Sequence, residues 1–133
     1  MLYFDSSALV KLALVEPESN RLRAYASRHQ DLPRFSSMLA HAEVLRAVRP
    51  AGAKALQAAR QVLAACFLVD VTRDVLERAG MLDAGTALRT LDAIHMVTAS
   101  MAEDRLTAVV TYDWRMRVAA ESLGFMAVAP GSD

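Results

Sequence analysis

The sequence predicts an α/β fold in which helices cover both faces of a central, mainly parallel sheet. Short apolar runs alternate along the chain with longer segments whose apolar residues recur at helical spacing. The short runs are apolar at nearly every position, which is typical of strands that are buried on both faces of a parallel sheet. This alternation therefore predicts a three-layer α/β/α architecture.

The length and composition predict one domain that spans residues 1–133. A hydrophobic content of 54% is enough for a core and too high for a disordered chain. The single cysteine, Cys66, excludes an intrachain disulfide and lies in an apolar run, so we expect a buried structural thiol. The first residues lack a signal-peptide pattern and no apolar stretch suits a bilayer, which predicts a soluble cytoplasmic protein.

The first strand and the first helix meet at an abrupt change of composition. The apolar run Leu2–Phe4 predicts a buried strand. Either Ser6 or Ser7, which follow it closely, can cap a helix over residues 8–14. Pro17 is expected to end this helix and to begin the next, because proline is tolerated in a first turn. The second helix is expected to carry on one face Leu22, Tyr25 and Ala26.

The middle of the chain repeats this succession of strand and helix. Residues 32–36 are predicted to form a strand, and Ser36 or Ser37 can cap the helix expected over residues 38–48. A further helix is predicted over residues 53–65, because its apolar residues recur at helical spacing.

The last part of the chain predicts three more strands, over residues 67–71, 108–111 and 125–129. Thr72 can cap the helix that follows the first of these strands. The two remaining helices are predicted over residues 90–102 and 114–123, and Gly124 is expected to end the latter. We expect the tail beyond Pro130 to be loosely held.

Four carboxylates fall where such a fold would place a site. Because sites in open α/β sheets lie at the carboxyl ends of the strands, we expect Asp5 and Asp113 on one edge. Glu43 lies on an apolar helical stripe and Asp92 in the apolar start of another helix. Buried carboxylates are usually ion-paired or metal-bound. Taken singly, Asp5 is also compatible with a turn residue, Asp92 with an N-cap or first-turn position, and Asp113 with a helix cap.

Four acids from separate elements predict a metal site. Clustered carboxylates repel one another and need a counter-charge, and hard oxygen ligands favour Mg²⁺ or Mn²⁺. Such a site activates a water and stabilises charge on a phosphodiester. The hydroxyls of Ser6 and Thr111 could orient these carboxylates, although helix capping and strand filling explain them equally well. The candidate catalytic residues and metal ligands are Asp5, Glu43, Asp92 and Asp113.

Four segments, in this order and at this spacing, resemble the motifs of PIN-domain ribonucleases. The run LYFDSSALVKL at residues 2–12 is similar to the opening of that family. Ala42–Val44 resembles its second acidic motif and Leu91–His95 its third, most distinctive one. Val110–Asp113 resembles the fourth. The resemblance covers nearly the whole chain and places an acid of this sequence at each acidic position.

The resemblance implies a PIN-like α/β/α fold and the activity of that family. A short single-domain chain of this kind is similar to VapC toxins of toxin–antitoxin modules. The likeness implies a Mg²⁺-dependent endoribonuclease that cuts structured RNA, such as tRNA or ribosomal RNA. It also implies a homodimer and a small VapB-like antitoxin that blocks the active site.

Substrate and partner contacts need local surfaces, because the formal net charge is zero. Trp114 could stack on a base, although core or dimer packing is the favoured interpretation. The basic residues near the acidic motifs, which could contact RNA or only form solvated helix faces, are Lys11, Arg46, Arg73, Arg89, Arg115 and Arg117. The apolar positions that could bind an antitoxin helix or only fill the core are Leu12, Val15, Leu22 and Tyr25.

His95 shares a predicted helix face with Asp92, since the two residues are three apart. We expect it to serve in packing or hydrogen bonding rather than as a metal ligand.

Two other functions are compatible with parts of this pattern. A haloacid-dehalogenase-like phosphatase also begins with an aspartate after the first strand, but its second aspartate two residues later is here Ser7. A non-catalytic RNA- or protein-binding module on the same fold would not need the complete acidic set.

Overall fold

The computed structural model describes residues 1–85 and 87–132. Within them, five strands form one sheet in the order β3-β2-β1-β4-β5, and each pairing between neighbours is parallel. This confirms the predicted α/β fold with a parallel sheet. The strands are β1 (Leu2–Phe4), β2 (Arg34–Ser37), β3 (Phe67–Val69), β4 (Ala108–Val110) and β5 (Ala127–Val128).

Helices cover both faces of this sheet, as the alternating pattern predicts. In the described residues they are α1 (Ser6–Ala13), α2 (Ser19–Arg28), α3 (Leu39–Val48), α4 (Ala53–Ala64), α5 (Arg73–Met81), α6 (Thr90–Ser100) and α7 (Trp114–Ser122). Short 3₁₀ turns follow α3 and α6. Among these helices, none is long and apolar enough to cross a membrane.

The central strand β1 contributes side chains to two separate core clusters, because successive side chains of a strand point to opposite faces of the sheet. Leu2 and Phe4 pack with buried residues of α1 to α4. Tyr3 points the other way and packs with buried residues of α6 and α7. All three β1 side chains are fully buried, which explains a strand that is apolar at every position. Cys66 lies in the first cluster at 8% exposure, and burial raises its pKa to about 12, so the predicted structural thiol is confirmed.

Helix α1 begins differently from the prediction, because its cap is Asp5 and neither Ser6 nor Ser7. Asp5 has an extended backbone, and its Oδ1 accepts a hydrogen bond from the Ala8 amide at 3.1 Å. Ser6 and Ser7 lie inside the first turn, where their hydroxyls contact other partners. The carboxylate that ends β1 therefore also satisfies an amide at the start of α1.

Several boundaries shift by a few residues. Helix α2 begins at Ser19 rather than at Pro17, because the Ser19 amide first closes a turn onto the Glu16 carbonyl at 3.0 Å. Strand β3 ends at Val69, and β5 contains only two residues. Thr72 caps α5 as predicted, by accepting from the Val75 amide. The N-cap position of α3 is occupied by Met38 rather than by Ser36 or Ser37, although Ser37 accepts from the Leu39 amide.

Residues 130–132 are held by hydrogen bonds, contrary to the expectation of a loose tail, and Asp133 lies outside the described residues. Tyr112 Oη donates to the Pro130 carbonyl at 2.7 Å, and the Ser132 amide donates to the Ala129 carbonyl at 2.9 Å. These bonds fix the segment after β5 beside the residues that follow β4.

Candidate active site

Asp5 lies at the carboxyl end of β1, in the centre of the sheet, and is only 3% exposed. Its Oδ1 accepts from Ser7 Oγ at 2.6 Å as well as from the Ala8 amide, and its Oδ2 accepts from Thr111 Oγ1. Burial raises the pKa of Asp5, and these hydrogen bonds offset only part of that rise. Asp5 is thus a buried acid whose ionised form would be stabilised by a nearby positive charge.

Glu43 projects from α3 toward the buried His95 of α6. His95 Nε2 lies 2.6 Å from Glu43 Oε1, and Ser6 Oγ donates to the same oxygen at 2.7 Å. Burial by itself would raise the pKa of Glu43, but the hydrogen bonds from His95 and Ser6 outweigh it, and the pKa is lowered. Glu43 is therefore held as a carboxylate with a fixed direction.

Tyr3 fixes the orientation of His95 from inside the core. Its hydroxyl lies 2.5 Å from His95 Nδ1, and burial raises the pKa of Tyr3 well above its usual value, so the phenol keeps its proton. The Tyr3 hydroxyl can therefore donate to His95 Nδ1, which leaves Nε2 to donate to Glu43. This agrees with the expected packing and hydrogen-bonding role of His95.

Arg89 lies between the two remaining carboxylates. Its Nε donates to Asp92 Oδ2 at 3.0 Å, and its Nη2 donates to Asp113 Oδ2 at 3.4 Å. Asp92 is buried in the first turn of α6, whereas Asp113 caps α7 by accepting from the Arg115 amide at 2.8 Å. Arg89 therefore supplies a counter-charge to both acids.

Thr111 connects the acid of β1 to the acid that follows β4. Its hydroxyl donates to Asp5 and accepts from the Asp113 amide at 3.1 Å. Ser7 makes a second connection, since it donates to Asp5 and accepts from the Tyr112 amide at 2.9 Å. Both residues thus tie the carboxyl end of β1 to the segment that leaves β4.

The four predicted acids belong to one edge of the molecule, but their oxygens do not yet converge. Thr111 connects Asp5 to Asp113, and Arg89 connects Asp113 to Asp92. Glu43 is connected to the start of α1 by Ser6 and to α6 by His95. Among the residues that the structure describes, no group of three His, Cys, Asp or Glu side chains is arranged to hold a metal ion.

The donor chemistry nevertheless fits a hard divalent cation. The set consists of carboxylate oxygens, which Mg²⁺ and Mn²⁺ prefer, and one of its members is a buried acid with a raised pKa. Arg89 already places a positive charge between Asp92 and Asp113. A cation at this edge would relieve the same repulsion that Arg89 relieves in part.

Several other side chains differ from their predicted surroundings. Trp114 is 65% exposed, so it does not pack in the core. Lys11 is nearly buried and forms ion pairs with Glu16 and Glu18 at 3.1 and 2.8 Å, which commits it to the α1–α2 junction rather than to RNA. Of the apolar positions proposed for an antitoxin, Leu22 is in the core and only Val15 is fully exposed.

The other basic candidates lie on the surface. Arg46, Arg73 and Arg89 are exposed, and Arg115 and Arg117 are half-buried on α7. Arg115 lies over the Trp114 ring at 5.5 Å from its centroid. These positions are accessible to a ligand.

Three contacts of the site were not predicted from the sequence. The Arg89–Asp92 spacing of three residues was a usable signal, because such residues are neighbours on a helical turn. The Tyr3–His95 and Ser7–Tyr112 contacts join residues 92 and 105 positions apart, and no local pattern indicates them.

Most of the chain matches the pattern of a known family. The PIN domain pattern matches residues 2–122 of the chain. The chain belongs to the PIN-domain family. This membership confirms the predicted resemblance to that family and sets aside the haloacid dehalogenase alternative.

Relatives within the PIN-domain family cover nearly the full length of the chain. Ribonuclease VapC46 of Mycobacterium tuberculosis is 50% identical over 130 residues, which span 97% of each protein. Ribonuclease VapC35 of the same species is 39% identical over 133 residues, or 98% of each protein. The predicted likeness to VapC ribonucleases is thus confirmed.

Two solved structures share the PIN fold with this chain. M. tuberculosis VapC20, described as a toxin that cleaves the sarcin–ricin loop, superposes with a TM-score of 0.75 at 17% identity, over 98% of this chain and 100% of that one. A toxin–antitoxin complex from Klebsiella pneumoniae gives a TM-score of 0.72 at 21% identity, over 98% of each chain. At these identities the likeness concerns the fold.

Proposed function

We propose that this protein is a metal-dependent endoribonuclease that hydrolyses phosphodiester bonds in structured RNA, such as tRNA or ribosomal RNA. The observation that carries the proposal is the set of four acids at one sheet edge, joined by hydrogen bonds to shared side chains. It is supported by 50% identity to a protein named as a ribonuclease over nearly the whole chain.

Asp5, Glu43, Asp92 and Asp113 are the proposed ligands of Mg²⁺ or Mn²⁺. When bound, the ion would supply positive charge that activates water and stabilises charge on the phosphodiester. The chain's own residues provide the orientation on which this depends. Thr111 and Ser7 fix Asp5, and Ser6 and His95 fix Glu43.

Two further proposals concern partners. The VapC names of the relatives support a role as the toxin of a toxin–antitoxin pair, with a VapB-like antitoxin that covers the active site. We also propose that the protein acts as a homodimer. Light scattering of the purified chain tests the dimer, and co-purification with the product of a neighbouring small gene tests the antitoxin.

The ribonuclease is tested by incubating the purified chain with total cellular RNA in Mg²⁺, in Mn²⁺ and in EDTA. We expect discrete fragments with either metal and intact RNA with EDTA. Asp5→Asn and Asp92→Asn should abolish cleavage, because each removes a proposed anionic ligand while nearly preserving its shape. Asp74→Asn is the matched control, since Asp74 lies exposed on α5 in a surface ion pair with Arg78.

Circular dichroism of each variant shows whether the fold is intact. Cleavage by Asp5→Asn and Asp92→Asn at the wild-type rate would refute the assignment of the site. Intact RNA under every condition, together with RNA binding, would favour the non-catalytic module on the same fold.

A further inference from the structure

A cavity of about 680 Å³ lies between α2 and the edge strand β5, away from the four acids. Its lining residues include Arg21 and Arg28 from α2, Arg117 from α7, and residues 127–131. Tyr25 of α2 also lines it. Among the residues described as lining it, three are arginines and none is acidic, so the cavity attracts anions.

Two acidic residues, Glu18 and Glu121, pair with basic side chains near the cavity, but neither is among its lining residues. Glu18, which lies at the start of α2, is paired with Lys11 at 2.8 Å and does not line the cavity. Arg117 Nε is 3.3 Å from Glu121, but both side chains are about half exposed, so solvent screens this pair. In a chain of zero net charge, three arginines around one cavity form a local basic site.

A second, smaller cavity lies next to this basic site. It measures about 170 Å³ and is lined by residues that include Thr111, Asp113 and the exposed Trp114. Arg117 and Ala129 line both cavities, so the two are neighbours. The arginines beside β5 therefore lie close to the cavity that Asp113 and Trp114 line.

We propose that the arginine-lined cavity binds backbone phosphates of the RNA strand next to the cleaved bond, with a base stacked on Trp114. This inference rests on the proposed ribonuclease function. Arginine offers paired donors to phosphate oxygens, and aromatic rings stack on bases of any sequence. An acidic peptide would satisfy the arginines equally well, but it would leave unexplained why the arginine-lined cavity adjoins the one that Asp113 and Trp114 line.

The first test measures RNA binding without cleavage, in the Asp5→Asn protein. A fluorescein-labelled RNA stem–loop is titrated against Asp5→Asn alone and against Asp5→Asn combined with Arg21→Gln and Arg28→Gln. We expect the Kd to rise on the order of tenfold when two phosphate contacts are lost. Arg60→Gln in the same background is the matched control, because Arg60 is exposed on α4 and does not line the cavity.

The second test measures single-turnover cleavage of total cellular RNA by proteins that retain Asp5. Arg21→Gln/Arg28→Gln should need more enzyme for half-maximal rate and reach the same maximal rate, because it weakens binding rather than the chemical step. Arg60→Gln should need no more enzyme than wild type.

The outcomes separate the two proposals. Equal RNA affinity of the double variant and the Arg60→Gln control overturns the cavity assignment, even if wild type cuts RNA. Failure of wild type to cut any RNA contradicts the ribonuclease, whereas a tenfold loss of binding would still support the cavity. Loss of affinity for a labelled poly-glutamate peptide, with RNA affinity unchanged, would assign the cavity to a protein partner and overturn the inference.

Discussion

At the residue scale, one guanidinium group holds two of the four acids. Arg89 donates to Asp92 at 3.0 Å and to Asp113 at 3.4 Å, and its side chain is 65% exposed. An exposed ion pair is screened by solvent and contributes little to stability, so another cation can replace it at low cost. A divalent ion that takes both Asp92 and Asp113 as ligands has to displace Arg89.

We therefore predict that Arg89→Gln lowers the Mg²⁺ concentration needed to load the site. Without the guanidinium, Asp92 and Asp113 repel each other, so a bound Mg²⁺ relieves a larger repulsion. The ion also no longer has to displace Arg89 from the two carboxylates. The measurement is the rise of Tm during a Mg²⁺ titration, whose midpoint should fall severalfold. Arg78→Gln, which removes an arginine from a surface pair with Asp74, should leave the midpoint unchanged. An unchanged midpoint in Arg89→Gln would show that the two cations do not compete.

Asp5 gives a prediction about the metal-free protein. Burial raises its pKa in the folded state, so its contribution to stability is complete below the ordinary aspartate pKa and is lost as the pH rises through the raised value. Asp5→Asn removes this loss and keeps a cap for α1, since asparagine caps as well as aspartate. Without metal at pH 7, Asp5→Asn should unfold several degrees above wild type.

Metal should reverse the order of the two proteins. Mg²⁺ is expected to raise the Tm of wild type by mass action and to leave that of Asp5→Asn nearly unchanged. Asp74→Asn controls for the loss of an exposed acid and should respond to Mg²⁺ as wild type does. A lower Tm for Asp5→Asn than for wild type in EDTA would show that the buried carboxylate stabilises the fold.

Individual acids were predictable at this scale, whereas their partners were not. An acid on an apolar helical stripe, such as Glu43, can be recognised in the sequence because it interrupts the helical repeat of apolar residues. The identity of its partner depends on how α3 and α6 pack across the sheet, and 52 residues separate Glu43 from His95. Lys11 shows the converse, because the sequence left open an RNA contact or a solvated helix face, whereas in the fold Lys11 pairs with Glu16 and Glu18.

At the scale of the element, the start of a helix can also be part of the active site. Asp5 accepts from the Ala8 amide and Asp113 from the Arg115 amide, so each acid caps the helix that follows its strand. The sequence predicts Ser6 or Ser7 as the cap, although Asp5 is an equally favourable residue type for that position. Backbone geometry decided among them, since Asp5 is the extended residue at which β1 ends.

The double role of Asp113 can be separated by two substitutions. Asp113→Asn keeps an oxygen that can accept from the Arg115 amide, whereas Asp113→Ala removes the cap and should cost about 1 kcal/mol of unfolding free energy. Both should lose RNA cleavage, since both remove a proposed anionic ligand. Urea denaturation of the metal-free proteins measures the difference. Equal stability of Asp113→Asn and Asp113→Ala would show that the cap contributes nothing to α7.

Strand positions were predictable because runs such as Leu2–Phe4 and Ala108–Val110 are buried on both faces. Edge strands were predicted too long. Within the described residues, strand β5 pairs with β4 alone, and the paired residues are Val109 with Ala127 and Val110 with Val128. Apolar residues beyond those pairs, such as Phe125, contribute to packing without joining the ladder. Hydrophobicity thus located the strands, and pairing partners set their lengths.

At the scale of the whole molecule, zero net charge restricts how RNA can be attracted. With 15 basic and 15 acidic residues, the protein has no overall field to draw in a polyanion. Affinity has to come from the few arginines that meet phosphates directly. The basic site formed by Arg21, Arg28 and Arg117 contrasts with the acid Asp113, which lines the neighbouring cavity.

This predicts a shallow dependence of RNA affinity on salt. Each phosphate neutralised on a single strand contributes about −0.7 to the slope of log K against log salt concentration, so three arginines should give about −2. The slope is measured by titrating a labelled RNA stem–loop with Asp5→Asn at several KCl concentrations. Adding Arg21→Gln and Arg28→Gln should bring the slope close to −0.7, since one of three contacts then remains. A much steeper slope that is the same with and without Arg21→Gln and Arg28→Gln would place RNA on an extended basic face elsewhere. The reason is that only charges that contact phosphates change the number of ions released.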